Sequence, residues 1–260
     1  DVFPEILDGM RATFDHAGFD TVIDTTDYDP AREAAWVERM LVWNAAGVVL
    51  GGVDHSVALR QQVRDLRIPT LELWDISDDP IDVCVGVDQR LAGICLGEHL
   101  VAAGYRLPAF VGVPEGRDPR ADKRLAGLRQ VFADAGCPEV WVERVDRRAA
   151  FEAGLIGTRR LLARAEPQPD VICYLNDHLA FGGLSACVQL GIAVPEEIGI
   201  AGFNGLEING VLAQPMTTVV TPRRKMGAAG ARALVARIKG ARVDRCLALP
   251  TELLAGGTTR

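Results

Sequence analysis

Short apolar runs alternate along the chain with longer segments whose apolar residues recur at helical spacing. The clearest case is residues 170–204, where the apolar run 171–174 predicts a buried strand and the spacing from Leu179 to Leu190 predicts a helix. Gly191 then supplies a residue that tolerates the positive φ at which helices commonly end. A second apolar run at 198–203 completes a strand-helix-strand unit. This order predicts a parallel strand pair with a right-handed crossover.

The same alternation continues on both sides of this unit. It predicts α/β architecture with parallel sheets and an arrangement in two lobes, because each half of the chain holds several strand-helix units. The further predicted strands are 21–23, 47–50, 70–73, 83–87, 108–113, 140–145, 217–220, the segment around Leu247, and 251–254. The further predicted helices are 3–17, 30–41, 55–66, 89–103, 120–135, 149–165 and 223–239.

Composition and charge narrow the possible partners. The 260 residues are 48% hydrophobic and 24% charged, which is enough to build one large domain or two lobes with real cores. The net charge of −7 argues against this chain itself gripping nucleic-acid phosphates or an anionic membrane. We therefore expect no membrane partner and no specific DNA binding by these residues alone.

The cysteines and the first residues bear on the compartment. Six cysteines show no CxxC spacing, and most lie in apolar runs, so a reducing cytoplasm is the expected location. The first residues lack the basic start and the unbroken apolar core of a signal peptide. An amphipathic helix is already under way by Phe3, and we expect a further segment to precede it in the intact protein.

Motifs for enzymatic chemistry are missing from the sequence. There is no GxGxxG, P-loop or GxSxG pattern, and Ser185 lies within a predicted helix. The four histidines are isolated and lack metal-ligand spacing. We therefore predict no enzyme, no catalytic residue, no metal and no cofactor.

Polar side chains follow several predicted strands. Asn176 and Asp177 come directly after the run 171–174, and Asn204 follows the next strand. Trp74 and Asp75 follow the strand 70–73 and offer an aromatic face beside a carboxylate. Because ligands of parallel sheets bind beyond the carboxyl ends of the strands, these positions are candidate site residues.

A basic cluster stands at the start of another predicted helix. Arg120, Lys123 and Arg124 follow the strand 108–113 and precede the apolar positions of the helix. Three cations there oppose the helix dipole, so they form either a solvated basic face or a set of donors for the hydroxyl or carboxylate groups of a ligand. Both interpretations remain open from the sequence.

Three long motifs resemble the effector-binding core of the lactose-repressor (LacI/GalR) family of bacterial transcriptional regulators. They are RLAG at 124–127, YLNDHLAFGGLSACVQLGIAVPEEIGIAGFN at 174–204, and QPMTTVVTPRRKMG at 214–227. The resemblance implies a fold like that of the type I periplasmic binding proteins, with two doubly wound lobes joined by three crossovers. It also implies a small-molecule effector, and operator DNA bound only by an N-terminal helix-turn-helix head that these residues do not include.

The resemblance further implies boundaries and site residues. The first lobe would take residues 1–86 and 215–222, and the second lobe 87–214 and 223–260. The family's first strand would be missing, and the chain would join the family core at residues 1–3. In the family's pattern, Phe3 and Trp74 would be cleft residues of the first lobe, Arg124 would contact the effector, and Asn176 and Asn204 would follow from the second lobe.

Among family members, the chain looks most similar to gluconate-type regulators. They share the GFN ending at Asn204, the sequence Asp118-Pro119-Arg120 before the arginine cluster, and Thr221-Pro222-Arg223 after the paired threonines. The usual GFDD reads Gly202-Phe203-Asn204-Gly205 here, so an amide replaces a sugar-binding carboxylate. This favours a sugar acid, with Asp75, Arg120, Thr221 and Arg223 as further ligand-binding candidates. Alternatively, Arg120 and Arg223 face solvent or bridge to Asp118 or Asp75.

Three functions are compatible with these features of the sequence. The first is the effector-binding core of a homodimeric regulator, with residues 38–41 and 59–64 as dimer contacts. The second is a secreted or periplasmic sugar-binding protein of the same fold that feeds a transporter. The third is an enzyme of flavodoxin-like architecture, because a fold does not fix a function. The motifs and the cysteines favour the regulator.

Overall fold

A computed structural model describes residues 2–27, 29–147 and 149–260. Residue 1, which the sequence assigned to the first lobe, lies outside the described residues. The chain forms two compact units, of which unit 1 comprises Asp1–Asp88 and Pro222–Pro250, and unit 2 comprises Gln89–Thr221 and Thr251–Arg260. The helices are α1 (Val2–Ala17), α2 (Pro30–Val42), α3 (Val57–Asp65), α4 (Gln89–Ala102), α5 (Pro119–Asp134), α6 (Ala150–Arg164), α7 (Asp177–Leu190) and α8 (Arg223–Ile238). The strands are β1 (Val48–Gly51), β2 (Thr70–Trp74), β3 (Val83–Gly86), β4 (Pro108–Gly112), β5 (Trp141–Arg144), β6 (Val171–Tyr174), β7 (Gly199–Asn204), β8 (Thr217–Val220), β9 (Cys246–Ala248) and β10 (Glu252–Leu254).

Unit 1 is built on a parallel sheet with the order β1-β2-β3-β9 among its described residues. Helices α1 and α8 pack against each other and share one apolar core with β2 and β3. A second core lies between α2, α3 and β1. The buried, nearly continuous apolar character of β2 and β3 is what a parallel sheet covered on its faces requires.

Unit 2 contains, within its described residues, a sheet with the order β10-β8-β7-β6-β4-β5. Its strands are parallel except β10, which runs antiparallel to β8 at the edge. The predicted parallel α/β architecture is confirmed, with this antiparallel edge as an addition that the sequence did not indicate. A 3₁₀ helix at Glu207–Val211 was also not predicted.

The stretch 170–204 folds as its pattern predicts. The Asn176 side chain accepts a hydrogen bond from the Leu179 N–H at 3.0 Å and so caps α7. Gly191 ends the helix in the left-handed conformation, with φ of 70°. Strands β6 and β7 pair in parallel, which confirms the predicted crossover unit.

The predicted strand at 21–23 is wrong. These residues adopt irregular structure, and Val22 and Ile23 are each about half exposed. Their β-branched side chains favour extended backbone, but a strand also requires a neighbouring strand to pair with. Among the described residues, the unit 1 sheet has the order β1-β2-β3-β9, and residues 21–23 pair with none of these strands.

The chain divides between the units differently from the predicted boundaries. The first passage falls after Asp88, close to the predicted residue 86. However, β8 belongs to unit 2 because it pairs with β7, whereas α8 and β9 belong to unit 1 because α8 packs on α1 and β9 pairs with β3. Residues 215–221, predicted for the first lobe, therefore lie in unit 2, and residues 223–250, predicted for the second lobe, lie in unit 1.

Helices α4 and α5 approach each other through paired glycines. A Cβ added at Gly93 would overlap the carbonyl group of Arg124, and a Cβ added at Gly127 would overlap that of Arg90. This contact fixes the height at which α5 carries Arg124 above the sheet. The glycine in the RLAG motif is thus explained by helix packing.

We expect Gly127→Ala to destabilise the protein by about 1–3 kcal/mol, because overpacking of the α4–α5 contact outweighs the gain in helix propensity. Gly210→Ala is the matched control, since a Cβ there meets no atom within 4 Å. Urea unfolding of both variants checks the difference. Equal unfolding free energies for the two variants would contradict the close approach.

His55 sits in a buried polar network of unit 1. Its Nδ1 lies 2.9 Å from Glu33 Oε2, its Nε2 lies 3.0 Å from the Gly52 carbonyl, and the fully buried Glu72 is within 3.7 Å. Arg60 also contacts Glu72, at 3.4 Å. Burial lowers the pKa of His55, but the hydrogen bond and charge of Glu33, the charge of Glu72 and the carbonyl outweigh it and raise the pKa above 6.5.

The raised pKa predicts a pH-dependent contribution to stability. Protonated His55 stabilises the folded state fully below the unfolded pKa of about 6.5, and this stabilisation is lost as the pH rises through the higher folded pKa. His55→Gln should therefore cost most at about pH 6 and least at about pH 8.5. Urea unfolding across this range checks it, with the exposed His16→Gln as control. A cost for His55→Gln that does not change with pH would contradict the prediction.

Candidate functional site

The first turn of α5 carries the basic cluster of unit 2. Asp118 caps the helix by accepting from the Ala121 N–H at 3.3 Å, and it also accepts from Arg120 Nε at 3.3 Å. Burial raises the pKa of Asp118, but the guanidinium groups of Arg120 and Arg124 and the Ala121 N–H outweigh it, so the pKa lies below its usual value. The Arg120 side chain is only 13% exposed. The alternative in which Arg120 faces solvent is therefore wrong, and the bridge to Asp118 is present.

Arg124 occupies the centre of this end of the unit 2 sheet. It donates to Gln89 Oε1 and, at 3.1 Å, to the carbonyl oxygen of Leu175, which directly follows β6. Its guanidinium carbon lies 4.0 Å from the centre of the Phe203 ring, a cation–π contact at the end of β7. These contacts hold the guanidinium beside the residues that precede Asn176 and Asn204.

Asn176 and Asp177 have different roles. The Asn176 Oδ1 caps α7, so a ligand would meet its amide nitrogen. Asp177 is fully buried, and its carboxylate accepts from Thr218 Oγ1 and from the Leu206 N–H, each at 2.7 Å. The sequence-based prediction of Asp177 as a site residue is therefore corrected, because its carboxylate is buried and bonded within unit 2. It joins the start of α7 to β8 and to the loop after β7.

Asn204 ends β7 in a backbone conformation that L-amino acids rarely adopt, with φ of 113°. Its carbonyl oxygen accepts from the Thr221 N–H at 3.2 Å and from Thr221 Oγ1 at 3.4 Å. Strain of this kind costs about 1–3 kcal/mol and concentrates at functional sites. Thr221 is buried and supports the turn that Asn204 makes.

Unit 2 thus brings five of the predicted site residues to the carboxyl end of its sheet. Arg124 contacts the residues that precede Asn176 and Asn204. Thr221 donates a hydrogen bond to the carbonyl oxygen of Asn204. Asp118 is a charged neighbour of both Arg120 and Arg124. Their contact with an effector stays a prediction.

Three candidate site residues of unit 1 are Trp74 and Asp75 at the end of β2 and Phe3 in α1. Trp74 ends β2 with φ of 83°, a rare conformation for an aromatic residue, and packs against the core that α1 and α8 share. Asp75 is buried and accepts from the Ile76 N–H at 2.8 Å. Gly86 is required beside it, because a Cβ there would overlap the Asp75 backbone. Phe3 lies in the first turn of α1 and is 44% exposed.

Arg223 begins α8 and is almost fully buried. It forms an ion pair with Glu5 of α1, with 2.8 Å between Nη2 and Oε1. The alternative in which Arg223 faces solvent is therefore wrong. Because Glu5 stands two residues after Phe3, the ion pair anchors the start of α1 to the start of α8 within unit 1.

The comparisons with known proteins agree with this geometry. Residues 98–259 match the model of the periplasmic binding protein-like domain. The HTH-type transcriptional regulator GntR of Escherichia coli K12 is 33% identical over 258 residues, covering 99% of this chain and 77% of that protein. This chain belongs to the LacI family of transcriptional regulators.

Solved structures of this LacI family match the same extent of the chain. The transcription regulator GntR from Chromobacterium violaceum has a TM-score of 0.93 at 33% identity, covering 99% of this chain and 94% of the other. A LacI family protein from Silicibacter pomeroyi has a TM-score of 0.92 at 32% identity, covering 99% and 78%. The relatives are regulators of transcription, and the predicted family and fold are confirmed.

Sequence reasoning missed two partners of Arg124 in this LacI-family core. Gln89 is only 2% exposed and is the first residue of α4. The sequence predicted a helix start here but no role in the site. The apolar run 198–203 predicts only a buried strand at Phe203. The signal for both was their position, since Phe203 ends the apolar run 198–203 and Gln89 stands two residues after the predicted strand 83–87.

Two findings concern the described residues as a whole. Among them, no helix combines the length and apolar character that crossing a membrane requires. Within the same residues, no group of three or more His, Cys, Asp or Glu side chains is arranged to hold a metal ion.

Proposed function

We propose that this chain is the effector-binding core of a regulator that senses a small hydroxylated carboxylate, such as an aldonic acid like gluconate. In the complete regulator, a helix-turn-helix segment would bind the operator in the cytoplasm. Effector binding would change the affinity of that segment for DNA. The net charge of −7 supports assigning DNA contacts to a segment other than this core.

The observation that carries the proposal is the placement of Arg124. Its guanidinium is held by a side-chain amide, a backbone carbonyl and an aromatic ring at the carboxyl end of the unit 2 sheet. The charges of Arg120 and Arg124 lower the pKa of Asp118, so this end of the sheet brings two guanidinium groups together around one carboxylate. A ligand carboxylate can bind the guanidinium of Arg124 through two parallel hydrogen bonds.

The residues around Arg124 suit the rest of such a ligand. Asn176 and Asn204 carry side-chain amides, which can donate hydrogen bonds to hydroxyl groups and accept hydrogen bonds from them. At the position of Asn204, the family's pattern has a carboxylate. A neutral sugar would gain less at this position, because the replaced carboxylate is a stronger hydrogen-bond acceptor for hydroxyl groups. The amide of Asn204 in place of that carboxylate, next to the Phe203 ring that Arg124 contacts, therefore favours a sugar acid over a neutral hexose.

A thermal-shift screen tests the proposal. Paired neutral sugars and their aldonic acids, each at the same concentration, should separate, because a ligand that binds only the folded state raises the melting temperature. We expect gluconate and related aldonates to raise it and glucose to leave it nearly unchanged. A rise with neutral sugars and none with any acid would contradict the proposed ligand class.

We also propose that the chain is a homodimer and that unit 2 contributes an apolar contact surface. Phe151 is about half exposed, and it stacks on Phe181 and meets His178 edge-on near the N-terminal ends of α6 and α7. The sequence suggested residues 38–41 and 59–64 of unit 1 as dimer contacts. Leu59 and Val63 are buried within unit 1, whereas Glu38, Arg39 and Arg64 are exposed, so that surface stays a prediction.

Light scattering at micromolar concentration is expected to give twice the chain mass of 28.0 kDa. Phe151→Glu should shift the protein toward the monomer, because it places a charge in an apolar contact. The exposed Glu152→Lys, one position along α6, is the control. A monomer mass for the parent chain would contradict the homodimer, and an unchanged dimer in Phe151→Glu would contradict this surface.

A further inference from the structure

Two cysteines stand opposite each other on neighbouring strands of unit 1. Cys84 of β3 and Cys246 of β9 are direct partners in the parallel register. The Cys84 N–H donates to the Arg245 carbonyl, and the Leu249 N–H donates to the Gly86 carbonyl, each at 2.8 Å. Backbone hydrogen bonds on both sides therefore fix this register. Because directly paired residues project from the same face of a sheet, the two thiols lie side by side.

The two thiols differ in environment. Cys84 is fully buried, and its thiol points toward the Ser77 carbonyl oxygen at 3.7 Å. Burial, followed by the adjacent thiol of Cys246, raises the pKa of Cys84. Cys246 is exposed on β9, a three-residue edge strand whose residues are all exposed. An oxidant therefore reaches Cys246 from solvent and does not reach Cys84 directly.

The geometry suits a disulfide. Neighbouring strands are about 4.7–4.9 Å apart, which falls within the range of roughly 4.4–6.8 Å between the Cα atoms of bonded cysteines. A short edge strand can also shift to optimise the angles around the sulfur atoms. The remaining cysteines differ, because Cys173 and Cys187 are buried in unit 2 and Cys95 and Cys137 lie on its helices or the loop after them.

We propose that Cys84 and Cys246 are a redox-sensitive pair that forms a reversible intrachain disulfide on exposure to a hydroperoxide. The Cys246 sulfur attacks one peroxide oxygen, the O–O bond breaks, and a sulfenic acid and the first water or alcohol result. The Cys84 sulfur then attacks the sulfenic sulfur, the S–O bond breaks, and its proton leaves with the hydroxide as water. Two thiols are oxidised by two electrons, which the peroxide takes up.

The position of the pair gives the bond a consequence. β3 ends two residues before the chain passes from unit 1 to unit 2 after Asp88, and β9 ends two residues before the passage after Pro250. A disulfide would tie together two of the segments that connect the units. It would also prevent β9 from leaving the edge of its sheet.

Peroxide titration of the 260-residue chain tests the proposal. Hydrogen peroxide is the probe, and the remaining thiols are alkylated before peptide mapping by mass spectrometry. We expect the number of alkylated cysteines to fall from six to four, with one pair of peptides joined through Cys84 and Cys246. Dithiothreitol should separate these peptides and restore all six thiols. The linked pair is read directly from the parent chain, so the result does not depend on a variant that must fold.

Variants separate the roles of the two sulfurs. Cys246→Ser should abolish the loss of two thiols, whereas Cys84→Ser should leave a sulfenic acid at residue 246 that reacts with dimedone. Cys137→Ser, in unit 2, should leave the linked pair unchanged. A disulfide between other cysteines would overturn the proposal. Oxidation of Cys246 to the sulfinic acid, with Cys84 remaining a free thiol that is alkylated, would also overturn it.

Discussion

Arg124→Ala is expected to weaken the binding of gluconate by about tenfold to a hundredfold, because a hydrogen-bonded charge pair contributes roughly 1.5–3 kcal/mol. The variant removes a guanidinium that Gln89, Leu175 and Phe203 hold at the end of the unit 2 sheet. Calorimetric titration of the parent and variant chains measures the ratio of dissociation constants.

Two further variants make this result specific. Arg124→Lys should keep the charge but lose the two-pronged geometry, so its affinity should lie between those of the parent and the alanine variant. Arg129→Ala is the matched control on the same helix, since Arg129 is exposed and only 3.6 Å from the exposed Glu139. Parental affinity in Arg124→Ala, with its fold intact by circular dichroism, would exclude Arg124 from the effector contact.

Asp177→Asn is expected to destabilise the protein by about 2–3 kcal/mol, although it changes a single atom type. The buried carboxylate accepts two hydrogen bonds at 2.7 Å, from the Leu206 N–H and from Thr218 Oγ1. An amide presents its NH₂ group to one of these donors, and an unsatisfied buried donor costs about 1–3 kcal/mol, more where a charged acceptor is lost. The melting temperature should fall by about 4–10 °C.

Asp134→Asn on α5 is the control for Asp177→Asn, because Asp134 is exposed. Its unfolding free energy should stay within about 0.5 kcal/mol of the parent. Combining Asp177→Asn with Thr218→Val should cost less than the sum of the two single changes, since the side chains bond each other. Strict additivity, or a neutral Asp177→Asn, would contradict the structural role of Asp177.

Local patterns predicted most of the elements, because apolar periodicity and capping residues act over a few positions. Helix α7 illustrates this, since its start at Asn176 and its end at Gly191 follow from residues within the segment itself. The strand predicted at 21–23 shows the limit. Its β-branched residues are compatible with a strand, but pairing depends on a neighbour that no local pattern specifies.

The division of α8 and β9 from β8 depends on long-range contacts for the same reason. Nothing in the composition of 223–250 indicates that α8 packs on α1 or that β9 pairs with β3. The juxtaposition of Cys84 and Cys246 is a product of that pairing, so the sequence alone could not suggest it.

The candidate site was predictable in position but not in detail. The rule that parallel sheets bind ligands beyond their carboxyl ends selected Arg124, Asn176 and Asn204, and the structure brings these residues close together in unit 2. It could not separate Asn176 from Asp177, which are adjacent in sequence but differ in burial. It also could not assign Arg223 to Glu5, which is 218 residues away.

The central claim is that the effector is a hydroxylated carboxylate, and calorimetric titration of the parent chain with gluconate and with glucose tests it most directly. Glucose is a neutral ring in water and gluconate is an open-chain anion, so the open-chain neutral polyol glucitol is titrated beside them to isolate the charge. The account predicts that gluconate binds at least about tenfold more tightly than glucose, and that its affinity falls as salt is raised. Tighter binding of glucose than of gluconate would contradict it.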